Sequence, residues 1–265
     1  MNTDRNFDDL IDQYLKKICH NKKGILRNHI ILRDLHDHCK LLTENKSLFI
    51  LDSGCGNGKI SLELSKKGHT IICNDISINM IELCKNEFLK ENPHAQVEFS
   101  HKPIQKFIKD NKNLKFDIIL FHAVLEWLEK PEETLQKLLT LLSTDGYISL
   151  MFYNIHSLIM RNLIYGNHNK VIKQDFMGDE SSLTPQNPLY PENVKSWLNK
   201  NNIEIIHSSG VRVFYDFMDQ NLQRDRNIED ILHLEDTYSN KEPYKNFGRY
   251  IHYLCKNNNI KRSTK

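Results

Sequence analysis

The sequence predicts an α/β fold, a doubly wound sheet of seven mostly parallel strands with helices on both faces, and three observations predict it. Between residues 47 and 153, short apolar runs alternate with amphipathic segments, as in a chain of strand–helix–strand units. The runs are continuously apolar, without the polar alternation of a half-exposed strand, so each belongs inside a sheet covered on both faces. Beyond residue 200, two further strand-like runs separated by a helical segment bring the strand count to seven.

The elements follow in order. Residues 7–20 and 24–43 read as helices of an N-terminal extension (1–46), the second carrying Ile25, Leu26, Ile30, Ile31 and Leu35 at helical spacing. The five strands of the 47–153 core center on Leu48–Leu51, Thr70–Cys73, Val97–Phe99, Phe116–Phe121 and Tyr147–Phe152. The clearest crossover helix spans 131–142. Pro131 sits where the first turn needs no N–H, Glu132 and Glu133 follow, and Leu135, Leu138, Leu139 and Leu142 form one stripe. Thr144-Asp145-Gly146 then reads as a turn. Residues 155–190, marked by Gly166-Asn167, Gly178-Asp179 and the Pro185/Pro188/Pro191 series that runs to its end, read as an irregular insertion after the fifth strand, suited to a lid or docking surface. A helix near 191–200, a strand near 203–214, a helix near 219–238 and a strand near 247–256 complete a single domain, with 191–256 on the substrate side of the sheet.

Composition excludes several classes. With 265 residues, 39% hydrophobic and 26% charged, the chain is an ordinary globular one. It has no apolar run of about 18 residues for a membrane span, and its first residues lack a signal-like apolar core. A cytoplasmic location is expected. The six cysteines (Cys19, Cys39, Cys55, Cys73, Cys84 and Cys255) show no CxxC pair, so neither a metal site nor a disulfide framework is expected. Net charge is only +2. Basic clusters at Lys16, Lys17, His20, Lys22, Lys23 and Arg27 and at Lys256, Lys261, Arg262 and Lys265 are candidates for phosphate binding, against the alternative of solvated surface.

The sharpest motif is Asp52-Ser53-Gly54-Cys55-Gly56-Asn57-Gly58, between the first strand and a helix. Its glycines allow a tight turn and close approach of backbone to ligand, and the helix start presents free N–H groups. A dinucleotide fingerprint, GxGxxG, needs glycine where Lys59 stands. The pattern is instead DxGxGxG, the signature of Rossmann-like class I methyltransferases, so S-adenosylmethionine is the expected cofactor. Asp75, ending the second strand, is placed to accept hydrogen bonds from ribose hydroxyls. Ile104 and Gln105, after the third strand, are placed near an adenine. His122 ends the fourth strand at the ligand crevice, where a rim histidine is an equally good reading.

Several segments carry a resemblance. Asp4–Asp9, Phe121–Trp127, Ser149–Asn154, Gly210–Phe214 and Gly248–His252 resemble the bacterial tRNA 5-carboxymethoxyuridine methyltransferases, over about residues 4–255. The resemblance implies methylation of the carboxyl group of 5-carboxymethoxyuridine at the tRNA wobble position, giving the methyl ester. It also implies cofactor contacts from Arg27, Gly54-Cys55, Asp75, Ile104-Gln105 and His122. Against that family the glycine loop is poorer in glycine, with Cys55 at one such position, and an acidic Gly178–Ser182 stretch replaces a lysine-rich one.

A carboxylate is already nucleophilic at neutral pH, so no general base is expected. What such a site needs is a directional cation, and Arg212 and Arg249, each on a late strand, are the candidates, with Tyr153 as a hydrogen-bonding or stacking partner. For the arginines the alternative is an internal ion pair with an acid such as Asp216 or Glu235. For the whole chain the alternatives are methylation of a carboxyl or hydroxyl group on a small metabolite, or non-catalytic binding of the cofactor or of tRNA.

Overall fold

In the computed structural model, which describes residues 4–16, 21–178 and 183–258, every apolar run becomes a strand of one sheet. The helices α1 (Ile11–Tyr14) and α2 (Lys22–His38) precede β1 (Phe49–Ser53). Then α3 (Lys59–Ser65), β2 (Thr70–Asp75), α4 (Ile78–Glu91), β3 (Val97–His101), α5 (Ile104–Asp110), β4 (Phe116–His122), α6 (Pro131–Leu139) and β5 (Leu142–Tyr153) alternate. After α7 (Ile155–Ile164), α8 (His168–Ile172) and α9 (Pro191–Lys200) come β6 (Ile203–Val211), α10 (Gln220–Asp225), α11 (Ile228–Tyr238) and β7 (Tyr250–Asn257).

The sheet order is β3-β2-β1-β4-β5-β7-β6. All pairs are parallel except those of β7, which runs antiparallel to both β5 and β6. The order reverses between β1 and β4, and a crevice opens there at the carboxyl ends of the strands. Both faces are covered. Phe107, Leu135, Leu138 and Val194 pack on one side and Ile30, Leu35, Leu62, Ile81 and Phe88 on the other, all at most 2% exposed. This two-sided burial is why the central strands β1, β2, β4 and β5 read as apolar runs, while the edge strands β3 and β6 are half-exposed.

α2 is tied across the molecule as well as to the sheet. Arg33 and His29 both reach Asp236 on α11, and Leu26 packs against Tyr215 and Ile231. At its first turn Lys22 donates to the carbonyls of Gln223, Arg224 and Arg226.

The structure corrects several sequence expectations. Within the expected irregular insertion, 155–164 and 168–172 are helical, α7 being capped by Asn154, whose side chain accepts from the His156 N–H. Asp179–Ser182 lie outside the described residues. The Thr144-Asp145-Gly146 turn is absorbed into β5, where the pairing with β4 jumps from Phe116–Leu142 to Ile118–Tyr147 and Asp145 takes φ +62°. α6 ends at Leu139, so Leu142 belongs to β5. The helix expected over 219–238 breaks at Arg226-Asn227, where Asn227 caps a new helix.

Candidate active site

The glycine turn between β1 and α3 forms the floor of a cleft in that crevice, and it is shaped by its neighbors. Gly54, Gly56 and Gly58 all have positive φ. A Cβ on Gly54 would stand 2.3 Å from the Val124 side chain, so only glycine lets β1 and the β4–α6 connection approach this closely. Asn74, next to the end of β2, accepts from the N–H groups of both Gly54 and Cys55. Asp75 follows, with one carboxylate oxygen accepting from Gly56 N–H and the other from Ser77 N–H, each at 2.9 Å. Burial pushes Asp75 up to about 6, although those two amides hold it down.

The cleft lining brings together Arg27, Gly54, Cys55, Gly56, Asp75, Ile104 and His122. Two candidates stand apart from it. Gly58 caps α3, and its missing Cβ leaves room for the Cys84 sulfur, which would otherwise lie 2.3 Å away. Gln105 donates instead to Asp4, 2.7 Å away, and Asp4 itself lines the cleft. The sequence reading passed over the roof. Phe7 and Tyr14 line the cleft from above, and Phe7 meets Trp127 edge to face. Asp8 anchors this segment by accepting from the Ser77 hydroxyl and the Asn79 N–H at the start of α4. An acid placed opposite a helix start is a local signal that single-segment reading does not use.

The residues present fit S-adenosylmethionine. A buried acid already oriented by two amides would suit ribose hydroxyls, the apolar Ile104, Val124 and Leu128 would suit an adenine, and Arg27, also on the lining, would suit the methionine carboxylate.

His122 is held from behind by a buried polar chain. The Ser149 hydroxyl bridges its Nε2 and that of His252, each at 2.8 Å, and His252 Nδ1 meets Asp34 at 2.7 Å. Burial would raise Asp34, but bonds to His207 and His252 and the Arg33 charge hold it well below the usual carboxylate range. Burial, with the charges of His252 and Arg27, pushes His122 well below its ordinary value, so its ring faces the cleft uncharged.

Beyond the cleft wall lies a second group, joined to the first by Tyr250. Tyr250 lines the cleft, meets Tyr153 edge to face and lies under Arg212, whose guanidinium carbon is 5.3 Å from the ring centroid. Arg249 covers the Tyr153 ring at 4.8 Å. Arg212, at φ +60°, pairs with Asp216 at 3.0 Å, whereas Glu235 accepts from the backbone of Val213 and Phe214. Burial would raise Asp216, yet the surrounding charges of Arg212, Arg249, Lys23 and Arg161 keep it below its usual value. Arg212 alone pairs with Asp216 directly, while Arg249, Lys23 and Arg161 act on it through their charge. The Tyr153 hydroxyl, Arg161 Nε and Arg249 Nη1 are buried with no hydrogen-bond partner. Arg161 is not among the sequence candidates, and Lys23 enters there only as a member of the N-terminal basic cluster.

Some members of the basic clusters have partners within the fold. Lys22 caps carbonyls, Lys23 joins the cation group, Arg27 enters the cleft and Lys256 pairs with Asp145. Lys17, His20, Lys261, Arg262 and Lys265 lie outside the described residues.

The fold and its cleft define a class I S-adenosylmethionine-dependent methyltransferase. Residues 44–212 match a family model described as "Methyltransferase domain". Over 255 residues the chain is 35% identical to the tRNA 5-carboxymethoxyuridine methyltransferase of Escherichia coli (strain K12), covering 96% of each chain. It belongs to that family. A more distant relative, the malonyl-[acyl-carrier protein] O-methyltransferase of Halalkalibacterium halodurans, is 29% identical over 55% of this chain and 58% of its own. Among solved structures, magnesium protoporphyrin IX methyltransferase from Synechocystis PCC 6803, with bound SAH, superposes with a TM-score of 0.62 at 13% identity, covering 94% of this chain and 95% of that one. No helix among the described residues is long and apolar enough to cross a membrane.

Proposed function

We propose that this methyltransferase esterifies the carboxyl group of 5-carboxymethoxyuridine at the wobble position of tRNA, using S-adenosylmethionine bound across Arg27, the Gly54–Gly56 turn, Asp75, Ile104 and His122. The observation that carries the carboxylate half is the cation group. Arg212, Arg249, Lys23 and Arg161 all act by charge on the buried Asp216, and the Tyr153, Arg161 and Arg249 donors without a hydrogen-bond partner among the described residues suit an incoming anion. The name of the E. coli relative supports the tRNA half.

When bound, S-adenosylmethionine supplies a methyl group made electrophilic by its sulfonium. The chain's own task is alignment. Arg249 and Arg212 would grip one oxygen of the carboxylate and leave the other free for attack, while Tyr153 donates a further hydrogen bond. Tyr250, shared by both regions, would set the spacing between acceptor and donor. Fixing reactants in attack geometry can lower a barrier by up to roughly 7–11 kcal/mol. A carboxylate needs no deprotonation, so no residue is assigned as a base.

Nucleoside mass spectrometry of tRNA from cells with and without the gene tests the substrate. Loss of the wobble methyl ester with accumulation of the free acid is expected, and an unchanged profile would refute it. With purified protein, Arg212→Ala should abolish ester formation and leave cofactor affinity near that of the unaltered enzyme. Ester formation at the original rate would remove Arg212 from the site. Methylation of a free small carboxylic acid, with none of tRNA, would move the same cation group to a metabolite substrate.

A further inference from the structure

We propose that Cys55, Cys73 and Cys84 form a three-thiolate site for one thiophilic divalent cation, directly beneath the glycine turn. The three come from different elements: the turn itself, the center of β2 and the middle of α4. Their sulfurs all lie within 4.8 Å of one another. Three sulfurs about 2.3 Å from a common zinc-like ion stand about 4 Å apart, so closing the site needs shifts of less than about 1 Å.

The chemistry of the donor set selects the ion. Thiolates favor soft and borderline cations over magnesium or calcium. Charge selects the valence. Three thiolates leave a net charge of −1 around a divalent ion but −2 around a monovalent one, and Asp52 and Asp75 lie close enough to disfavor the extra negative charge. Each ligating thiol gives its proton to solvent.

Access is one-sided. Cys73 and Cys84 are fully buried, while Cys55 is 9% exposed and lines the cleft. The ion therefore enters past the glycine turn, where the cofactor sits. This route rests on the cofactor assignment above, but the ligation does not.

Cadmium is the probe, added to reduced full-length protein carrying Cys19→Ser so that the thiol outside the described residues does not contribute. One ion per chain and a sulfur-to-metal charge-transfer band are expected. Cys55→Ser, Cys73→Ser and Cys84→Ser should each reduce the band by about a third and weaken binding at least tenfold, while Cys39→Ser and Cys255→Ser leave both unchanged. X-ray absorption on the Cys19→Ser protein counts the sulfur neighbors directly, whatever the variants do to folding. Fewer than three sulfurs, or a band that survives loss of any cluster cysteine at full strength, would overturn the site. Saturating S-adenosylhomocysteine should slow cadmium uptake at least tenfold. Unaltered uptake in a protein that binds S-adenosylhomocysteine would overturn the entry route, and failure to bind it at all would instead count against the cofactor assignment.

Discussion

Replacing Asp75 with alanine tests the cofactor half of the site most directly. The carboxylate accepts from Gly56 and Ser77 at 2.9 Å, and each oxygen keeps a lone pair toward the cleft for a ribose hydroxyl. A hydrogen bond to a charged group contributes about 1.5–3 kcal/mol, so two ribose contacts amount to about 3–6 kcal/mol. Water entering the cleft offsets part of this loss, which leaves a fall in affinity of roughly 10²–10³-fold. The assay is calorimetric titration with S-adenosylhomocysteine at pH 8, where Asp75, pushed up to about 6, is ionized. A second measurement uses pH. Ribose hydroxyls favor the ionized acid, so affinity should weaken as pH falls through about 6, and Asp75→Ala should lack that dependence. The unliganded fold has the opposite preference. Its raised pKa gives stability that is present below 3.8 and lost as pH rises through about 6, so the thermal shift on ligand binding should be larger at pH 8 than at pH 5. An affinity within threefold of the unaltered protein would refute the ribose assignment.

Three further outcomes concern the scaffold. Ser149→Ala strands the buried His252 nitrogen and loosens His122, which should lower unfolding free energy by about 2–4 kcal/mol in urea titration; a smaller change than 1 would mean the hydroxyl bridges nothing important. Burial pushes Glu126 from 4.5 up to about 8, so its protonated form stabilizes the fold and that stability is lost as pH rises through about 8. Glu126→Gln should therefore flatten the decline in urea midpoint between pH 5 and pH 9, a span worth up to about 4 kcal/mol at 1.36 per unit. Gly54→Ala should cost the ~1–2 kcal/mol of a left-handed alanine plus the clash with Val124, whereas Gly68→Ala, at φ +83° with nothing within 4 Å, should cost the first alone; equal losses of thermal stability would deny the clash.

The sequence exposes what is local and hides what is assembled. β1, β2, β4 and β5 were legible because burial on both faces leaves largely apolar runs, the half-exposed edge strand β3 by its position in the series, and α6 because Pro131 and the leucine stripe mark it. The turn from Asp52 to Gly58 and the acid at Asp75 were legible as one strand-turn-helix unit. By contrast, the relay through Asp34, Ser149 and His252 joins a helix to two strands far apart in the chain. No spacing rule links them. The thiol cluster escaped for the same reason, since Cys55, Cys73 and Cys84 lack any ligand spacing yet meet where turn, strand and helix pack. Gln105 lies just after β3, and its amide donates to Asp4 of the N-terminal segment, a partner no local spacing points to. At α7, the Gly166-Asn167 punctuation outweighed the capping signal of Asn154.

The placement of β7 between β5 and β6 has a consequence for how the molecule comes into being. β6 emerges during synthesis before the only strand it pairs with, and until β7 arrives both it and β5 present bare backbone edges. The segment that seals this gap also delivers Tyr250 and His252, with Arg249 just ahead of them. A nascent chain can therefore shape its glycine turn early, but it gains its acceptor side only with the strand that protects it from its neighbors. Ribosome stalling short of Tyr250 should yield an aggregation-prone intermediate, whereas release just beyond Asn257 should yield a closed sheet with the arginine in position.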